Sequence, residues 1–106
     1  MNASALESEF ESRAVRYAGG LLLLVASDAI ELIDRARSER IPVLGVDGLK
    51  VGENETVSPL EHIADYSSLV RRGDGCWDAA RAFITSRDGL GLVFEVVLGE
   101  PLEPAV

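Results

Sequence analysis

Three stretches of the chain carry apolar residues at the three- and four-residue spacing that places them on one face of a helix. These stretches are residues 4–19, 28–40 and 75–87. The later part of the first, SRAVRY, is also compatible with a strand. Pro42 follows the second and Gly89 follows the third, and both residues favour the end of a helix. The pattern therefore predicts three helices, the first of which can give way to a strand.

Other stretches have the pattern of strands. LLLLVA, residues 21–26, is apolar throughout, which is typical of a strand buried on both sides. GLVFEVVLG, residues 91–99, alternates like a strand, and both of its faces are mostly apolar. Asp47-Gly48 separates VLGV from LKVG, and both residues tolerate the positive φ of a type I′ turn. We therefore expect these two residues to form the tip of a hairpin.

A fourth helix is predicted from Ser58 to about Val70. It would begin with Ser58 as the cap, Pro59 at the first helical position and Glu61 at the third. The element order predicts an α/β (α+β) fold and a single domain over residues 1–106. We expect a mixed sheet of about four strands with a central hairpin, packed by three to four helices. Strands that are apolar on both faces have to be packed against other groups on both faces, and a second copy of the chain can cover one of them. A homodimer is therefore one hypothesis.

Composition and charge narrow the choice of partner. The chain has 106 residues, 47% of them hydrophobic and 26% charged, which is the balance of a soluble globular protein. Its 18 acidic and 10 basic side chains give a formal net charge of −8. Such a surface repels nucleic-acid phosphates and anionic membranes, and it attracts basic proteins. We therefore expect no nucleic acid and no membrane, and a basic protein as the partner.

The sequence favours a cytoplasmic protein. Its single cysteine, Cys76, cannot form an internal disulfide, which fits a reducing compartment. The apolar run at residues 21–26 is too short for a membrane span. The segment before that run carries glutamates as well as arginines, whereas a signal peptide has a basic leader.

Residues 41–68 hold the densest group of polar side chains, so they are the first place to look for chemistry. His62 has Asp65 and Tyr66 three and four residues later, and on a helix an aspartate at that position can orient an imidazole for acid–base work. Glu61 is explained by the cap that begins at Ser58. One histidine and one cysteine are too few donors for a zinc-type centre, so we expect no metal and no cofactor.

The same region carries a resemblance. PVLGVDG, followed by a polar turn and SPLEHIADYSS, resembles small bacterial proteins of the toxin-immunity type and related domains. The shared features are structural, a hairpin and then a capped helix. The resemblance implies an acidic protein of the cytoplasm that inhibits a toxin by blocking its active site.

Three functions stay open at this point. The first is a non-enzymatic protein-binding domain, of which an immunity-type inhibitor is one form. It would bind its partner through an acidic surface made of Asp47, Glu53, Glu55, Glu61 and Asp65. The second is a small ligand-binding domain or enzyme that uses His62, Asp65 and Tyr66. The third is a structural homodimeric subunit, in which the acidic groups serve only solubility. The first is favoured because no set of side chains is seen to converge for catalysis.

Overall fold

The computed structural model describes residues 1–18, 21–51, 56–57, 62–71 and 75–102. Within these ranges the fold is a compact α+β domain, as the order of predicted elements indicated. The helices are α1 (Ala3–Phe10), α2 (Ala26–Ser38), α3 (Ser67–Arg71) and α4 (Cys76–Ser86), and a 3₁₀ turn at Glu11–Arg13 follows α1. The strands are β1 (Arg16–Ala18), β2 (Leu21–Leu23), β3 (Val43–Val51), β4 (Thr56–Val57), β5 (Ile63–Asp65) and β6 (Val93–Leu98).

Strand β3 lies at the centre of the sheet. It pairs with β6 over most of its length and with β5 through Gly45, Val46 and Asp47, and its end pairs with β4. β1 pairs with β2, which reaches β6 through one bridge between Leu24 and Phe94. Every pairing among the described strands is antiparallel, so the expectation of a mixed sheet is wrong. Two helical crossovers join strands that run in the same direction but are not neighbours: α2 joins β2 to β3, which have β6 between them, and α3 and α4 join β5 to β6, which have β3 between them.

Helices α2 and α4 cover one face of the sheet because each has an apolar stripe at helical spacing. Leu6 and Phe10 of α1 join the same core. Trp77 is 4% exposed, and its indole N–H donates to the carbonyl oxygen of Ile41 at 2.8 Å. This bond attaches α4 to the segment that leads into β3. The buried residues of the two helices are Ala29, Leu32, Ile33 and Ala36 on α2, and Cys76, Trp77, Ala80 and Ile84 on α4.

We call the opposite side of the sheet the second face. Its residues alternate with those of the core, so Leu49 and Val93 lie on it and pack with Leu23 in a small buried cluster. Farther along the same face come Asp47 and Glu95, which are half-buried. Ile63, Asp65 and Val97 are exposed. Among the described helices, α2 and α4 pack on the core side of the sheet, as the burial of Val46, Phe94 and Val96 shows.

Asp47-Gly48 is not a hairpin tip, and this prediction is wrong. β3 continues through both residues, with Asp47 opposite Glu95 and Gly48 opposite Phe94. Strands on both sides of β3 satisfy its backbone here, and that outweighs the local preference for a turn. A hairpin is formed instead at the end of β3, where β3 pairs with β4. Its connection at residues 52–55 lies outside the described part of the chain.

The predicted helix from Ser58 to Val70 is wrong over residues 63–65. Ile63–Asp65 forms β5, and α3 begins only at Ser67. The helix-start residues 58–61 lie outside the described ranges. Pairing with β3 supplies the hydrogen bonds of the β5 backbone, so a long-range partner overrides the local helical pattern.

The strand alternative for SRAVRY is confirmed for its last two residues, because residues 16–18 form β1, whereas its first two belong to the 3₁₀ turn Glu11–Arg13. The strand at residues 21–26 is confirmed over 21–23, with Leu22, Leu23 and Leu24 buried. None of the described helices has the length and apolar character needed to cross a membrane.

Candidate functional site

The most distinctive chemistry of the described chain lies on the second face, where two carboxyl groups meet. Asp47 of β3 stands directly opposite Glu95 of β6 in the antiparallel register. Directly opposed residues have Cβ atoms about 4.5–5.5 Å apart, so the two side chains meet above the sheet. We call these two residues the Asp47–Glu95 pair.

The pair is held where water reaches it only in part. Burial is the main cause that raises the pKa of the Glu95 carboxyl above its ordinary value. The proximity of the Asp47 carboxyl group and, to a smaller extent, the negative charge of Glu7 raise that pKa further. Burial also raises the pKa of Glu7. Like charges opposed across a sheet are destabilising, so the fold retains this arrangement at a cost.

The helical side of the described structure differs from the second face in how its charged side chains are paired. On the helical side, most arginines form ion pairs with acidic side chains that offset their charge. β3, β5 and β6 contain one basic residue, Lys50, and strand alternation places it on the opposite side from Asp47. On β3, β5 and β6, the acidic residues Asp47, Asp65 and Glu95 therefore share the second face. The ion pairs are Arg13 with Asp28 and Glu31, Arg35 with Glu9 and Glu39, Arg37 with Asp78, and Arg81 with Asp34.

Asp65 lies on the same face and also has a structural role. Its carboxylate accepts a hydrogen bond from the backbone N–H of Ser67 at 2.9 Å and one from the Ser67 hydroxyl at 2.6 Å. These bonds start α3 directly after β5. Asp65 is diagonal to Asp47, because their β3 and β5 partners are offset by two residues. It extends the negative surface of the Asp47–Glu95 pair.

His62 and Asp65 do not form the pair expected from a helix. Continuing the β5 register places His62 opposite Gly48 on the core side, and Asp65 lies on the second face. His62 instead accepts a hydrogen bond at Nδ1 from Nε of Arg87, at 3.1 Å. Arg87 also lies over the ring of Phe83, at 3.7 Å from its centroid. His62 therefore helps to attach β5 to the end of α4.

Tyr66 also has a structural contact. Its hydroxyl donates to the carbonyl oxygen of Ala79 at 3.3 Å, which joins the start of α3 to α4. Burial raises the pKa of this phenol, and the nearby charge of Arg87 partly opposes that effect. His62, Asp65 and Tyr66 thus make three separate contacts in the described structure.

Three predicted partner-binding residues cannot be placed. Glu53, Glu55 and Glu61 lie outside the described residues. Asp47 is described, but it stands in the middle of β3 and not at a turn. Of the predicted acidic surface, the structure therefore brings together Asp47 and Asp65.

Glu95 is the residue that sequence reasoning left out of the candidate site. The signal was present, because Glu95 is the one charged position in the strand VFEVVL. A charge within an apolar, alternating strand is uncommon when that strand is buried on both sides. It indicates a face that is open to water or to a partner.

Metal and small-molecule sites have less support. Within the described ranges, no three histidine, cysteine, aspartate or glutamate side chains are grouped to hold a metal ion. A cavity of about 380 Å³ lies between the start of α2 and the turn after α4. Its lining includes Arg87, Leu92 and Phe94. His62, Asp65 and Tyr66 are not among the lining residues.

No family model matches this chain, and no curated protein or solved structure matches it either. The resemblance to immunity-type proteins therefore stays a prediction.

Proposed function

We propose that this chain is a non-enzymatic protein-binding domain and that a basic protein docks on the second face of its sheet. The observation that carries the proposal is the Asp47–Glu95 pair, two half-buried carboxyl groups that stand opposite each other on β3 and β6. A cationic side chain placed beside the pair would offset the repulsion and form charge-assisted hydrogen bonds.

Apolar groups beside the pair support the same proposal. Ile63, across β3 from Glu95, is 44% exposed, and Val97 is 39% exposed. A docked partner would bury these side chains around the charged pair. Binding sites commonly combine apolar contact with a few polar groups that fix orientation.

The resemblance of PVLGVDG and SPLEHIADYSS to immunity-type proteins favours one form of this function. In that form the partner is a toxin with a basic cleft, and the domain inhibits it in the cytoplasm by covering the cleft. A captured partner whose enzymatic activity falls on binding supports this form. Unchanged activity contradicts it and leaves the protein-binding function in place.

The test compares binding by matched variants. A partner would be captured from a lysate of cells that make the protein and then purified. Its Kd would be measured with the wild type, the Asp47→Asn/Glu95→Gln double variant and Asp78→Asn. Asp78 is a suitable control because its side chain is 72% exposed on α4 and pairs only with the exposed Arg37 among the ion pairs described.

We expect the double variant to bind at least about tenfold more weakly, which corresponds to about 1.4 kcal/mol. The Asp78→Asn variant should bind like the wild type. Added salt should weaken binding, because charges at a surface are screened. Equal Kd values for the wild type and the double variant would refute docking at this face, provided that both variants melt as the wild type does.

A second candidate is self-association through the same face. The exposed Ile63 and Val97 favour it, because a second copy can cover them. The Asp47–Glu95 pair opposes it, since each copy would bring further negative charge to the other. A basic partner is therefore the better match.

A further inference from the structure

The hydrogen bond between His62 and Arg87 exists in only one protonation state of the imidazole. The Nε–H of Arg87 donates to Nδ1 of His62 at 3.1 Å, so Nδ1 has to carry a lone pair and no hydrogen. A guanidinium group only donates and keeps its charge, whereas a protonated imidazole donates from both of its nitrogens. Proton uptake at His62 therefore removes the acceptor and places two positive charges side by side.

The charged groups around this contact are more basic than acidic in the described part of the chain. His62 stands opposite Gly48, and Lys50 lies two positions further along β3 on the same side of the sheet. A positive charge on the imidazole would thus meet two cations, Arg87 and Lys50. The described charged or titratable residues nearest to His62 are Arg87 on the turn after α4, Asp88 beside it, Lys50 on β3, and Asp65 and Tyr66, which follow His62 in the chain.

The segment that this contact attaches is held by few other interactions. β5 is three residues long and none of them is buried, and α3 has five residues, of which Leu69 and Val70 are half-buried. Besides its pairing with β3, the segment is joined to α4 through the Tyr66 hydroxyl, which donates to the Ala79 carbonyl oxygen at 3.3 Å. Segments with little buried apolar surface open at a low cost in free energy. Loss of the His62 contact should therefore act on this segment first.

We infer that proton uptake at His62 detaches β5 and α3 from α4, while α2, α4 and the strands β2, β6 and β3 stay folded. One proton passes from the solvent to Nδ1, and the Nε–H of Arg87 loses its acceptor. The contact is present at the higher pH, where the ring is neutral, and is lost as the pH falls. This detachment does not require the proposed function. It would nevertheless alter the second face, because Ile63 and Asp65 belong to β5.

Hydrogen exchange at two matched amides measures the detachment. The Tyr66 amide donates to the Leu44 carbonyl oxygen at 2.7 Å at the end of β5, and the Phe94 amide donates to the Leu24 carbonyl oxygen at 2.7 Å between β6 and β2. NMR would follow both amides and the His62 ring signals from pH 8 downwards, since histidine side chains change charge between about pH 8 and pH 5. Protection factors correct for the pH dependence of intrinsic exchange.

We expect the protection of the Tyr66 amide to fall by about tenfold or more as the ring of His62 becomes protonated, because a hydrogen bond from a charged group is lost. The protection of the Phe94 amide should stay constant over the same range. The Nε–H signal of Arg87 should move together with the His62 ring signals.

The His62→Gln variant is the matched control. Its amide oxygen can accept from Arg87, but glutamine takes up no proton. The variant keeps Glu7 and Glu95, whose pKa values are raised, so it separates their protonation from that of His62. Its Tyr66 amide should remain protected at every pH at which the Phe94 amide is protected.

Four results would overturn the inference. The first is an unchanged Tyr66 amide beside a protonated His62 ring, and the second is an equal loss of protection at Tyr66 and Phe94. The third is the same fall in the wild type and in His62→Gln. The fourth is a ring that stays neutral until the whole protein unfolds. If the variant does not fold, the Arg87 signal decides, and a signal that ignores the His62 titration contradicts the inference.

Discussion

Among single residues, the two glycines of β3 show how closely neighbouring strands approach it. A Cβ at Gly45 would lie 2.7 Å from the carbonyl oxygen of Ala64. A Cβ at Gly48 would meet side-chain atoms of His62, Leu92 and Phe94 at 3.1–3.3 Å. The first obstacle is backbone held by strand pairing, whereas the second consists of side chains that can move slightly.

We therefore expect Gly45→Ala to destabilise the protein more than Gly48→Ala does. The first change should lower the free energy of unfolding by about 2–3 kcal/mol, and the second by about 1 kcal/mol or less. Urea denaturation of both variants measures the difference. Equal midpoints would show that β5 can shift away from β3 without loss.

The Glu95 carboxyl predicts a dependence of stability on pH. Its pKa in the folded protein is raised above the ordinary value of 4.5, so the folded state binds more protons than the unfolded state between those two values. Its contribution to stability is therefore present below pH 4.5 and is lost as the pH rises through the raised pKa.

Glu95→Gln should accordingly raise Tm at pH 7, where it removes a half-buried negative charge beside Asp47. Water screens part of that charge, so we expect a rise of only about 2–4 °C. The advantage should shrink at pH 4, and Glu100→Gln should show none at either pH. Thermal melts of the three proteins at both values test this, and a lower Tm for Glu95→Gln at pH 7 would contradict it.

Among the helices and strands, the position of α4 is determined by contacts between segments that are distant in sequence. The Trp77 indole bonds to Ile41 before β3, and the ring is nearly fully buried. Trp77→Phe should lower the free energy of unfolding by about 2–3 kcal/mol, because it leaves the Ile41 carbonyl without its donor and opens a small cavity. Asp78→Asn, one position later and exposed, should change it by less than about 0.5 kcal/mol. Chemical denaturation compares the two, and similar losses would argue against a special role for the indole.

The difference between local sequence patterns and contacts distant in sequence also explains which elements the sequence could predict. The helices α2 and α4 and the strand β6 were predictable, because each has an apolar period that matches the face it buries. The strand β5 was not, since IAD is too short for a period and its structure depends on pairing with β3. The prediction of a turn at Asp47-Gly48 failed for the same reason, because the pairing of β3 with β5 and β6 keeps these residues in a strand. The Asp47–Glu95 pair required knowledge of the β3–β6 register, which no local pattern contains.

On the level of the whole molecule, charge opposes self-association. The chain carries a net charge of −8, and a symmetric dimer through the second face would place two Asp47–Glu95 pairs near each other. We therefore expect a monomer at pH 7 and micromolar concentration. Light scattering coupled to size exclusion would show this, with more association at pH 4 than at pH 7. A stable dimer at neutral pH would instead favour the structural-subunit hypothesis.

The central position of β3 also has a consequence for the order of folding. β6 is the last described strand, yet it pairs with β3 and connects β2 to the rest of the sheet. Such pairing closes a loop of nearly half the chain, and contacts distant in sequence form slowly. During synthesis, the core should therefore stay incomplete until residue 98 has left the ribosome. Until then, the edge of β3 that awaits β6 is open to chaperones.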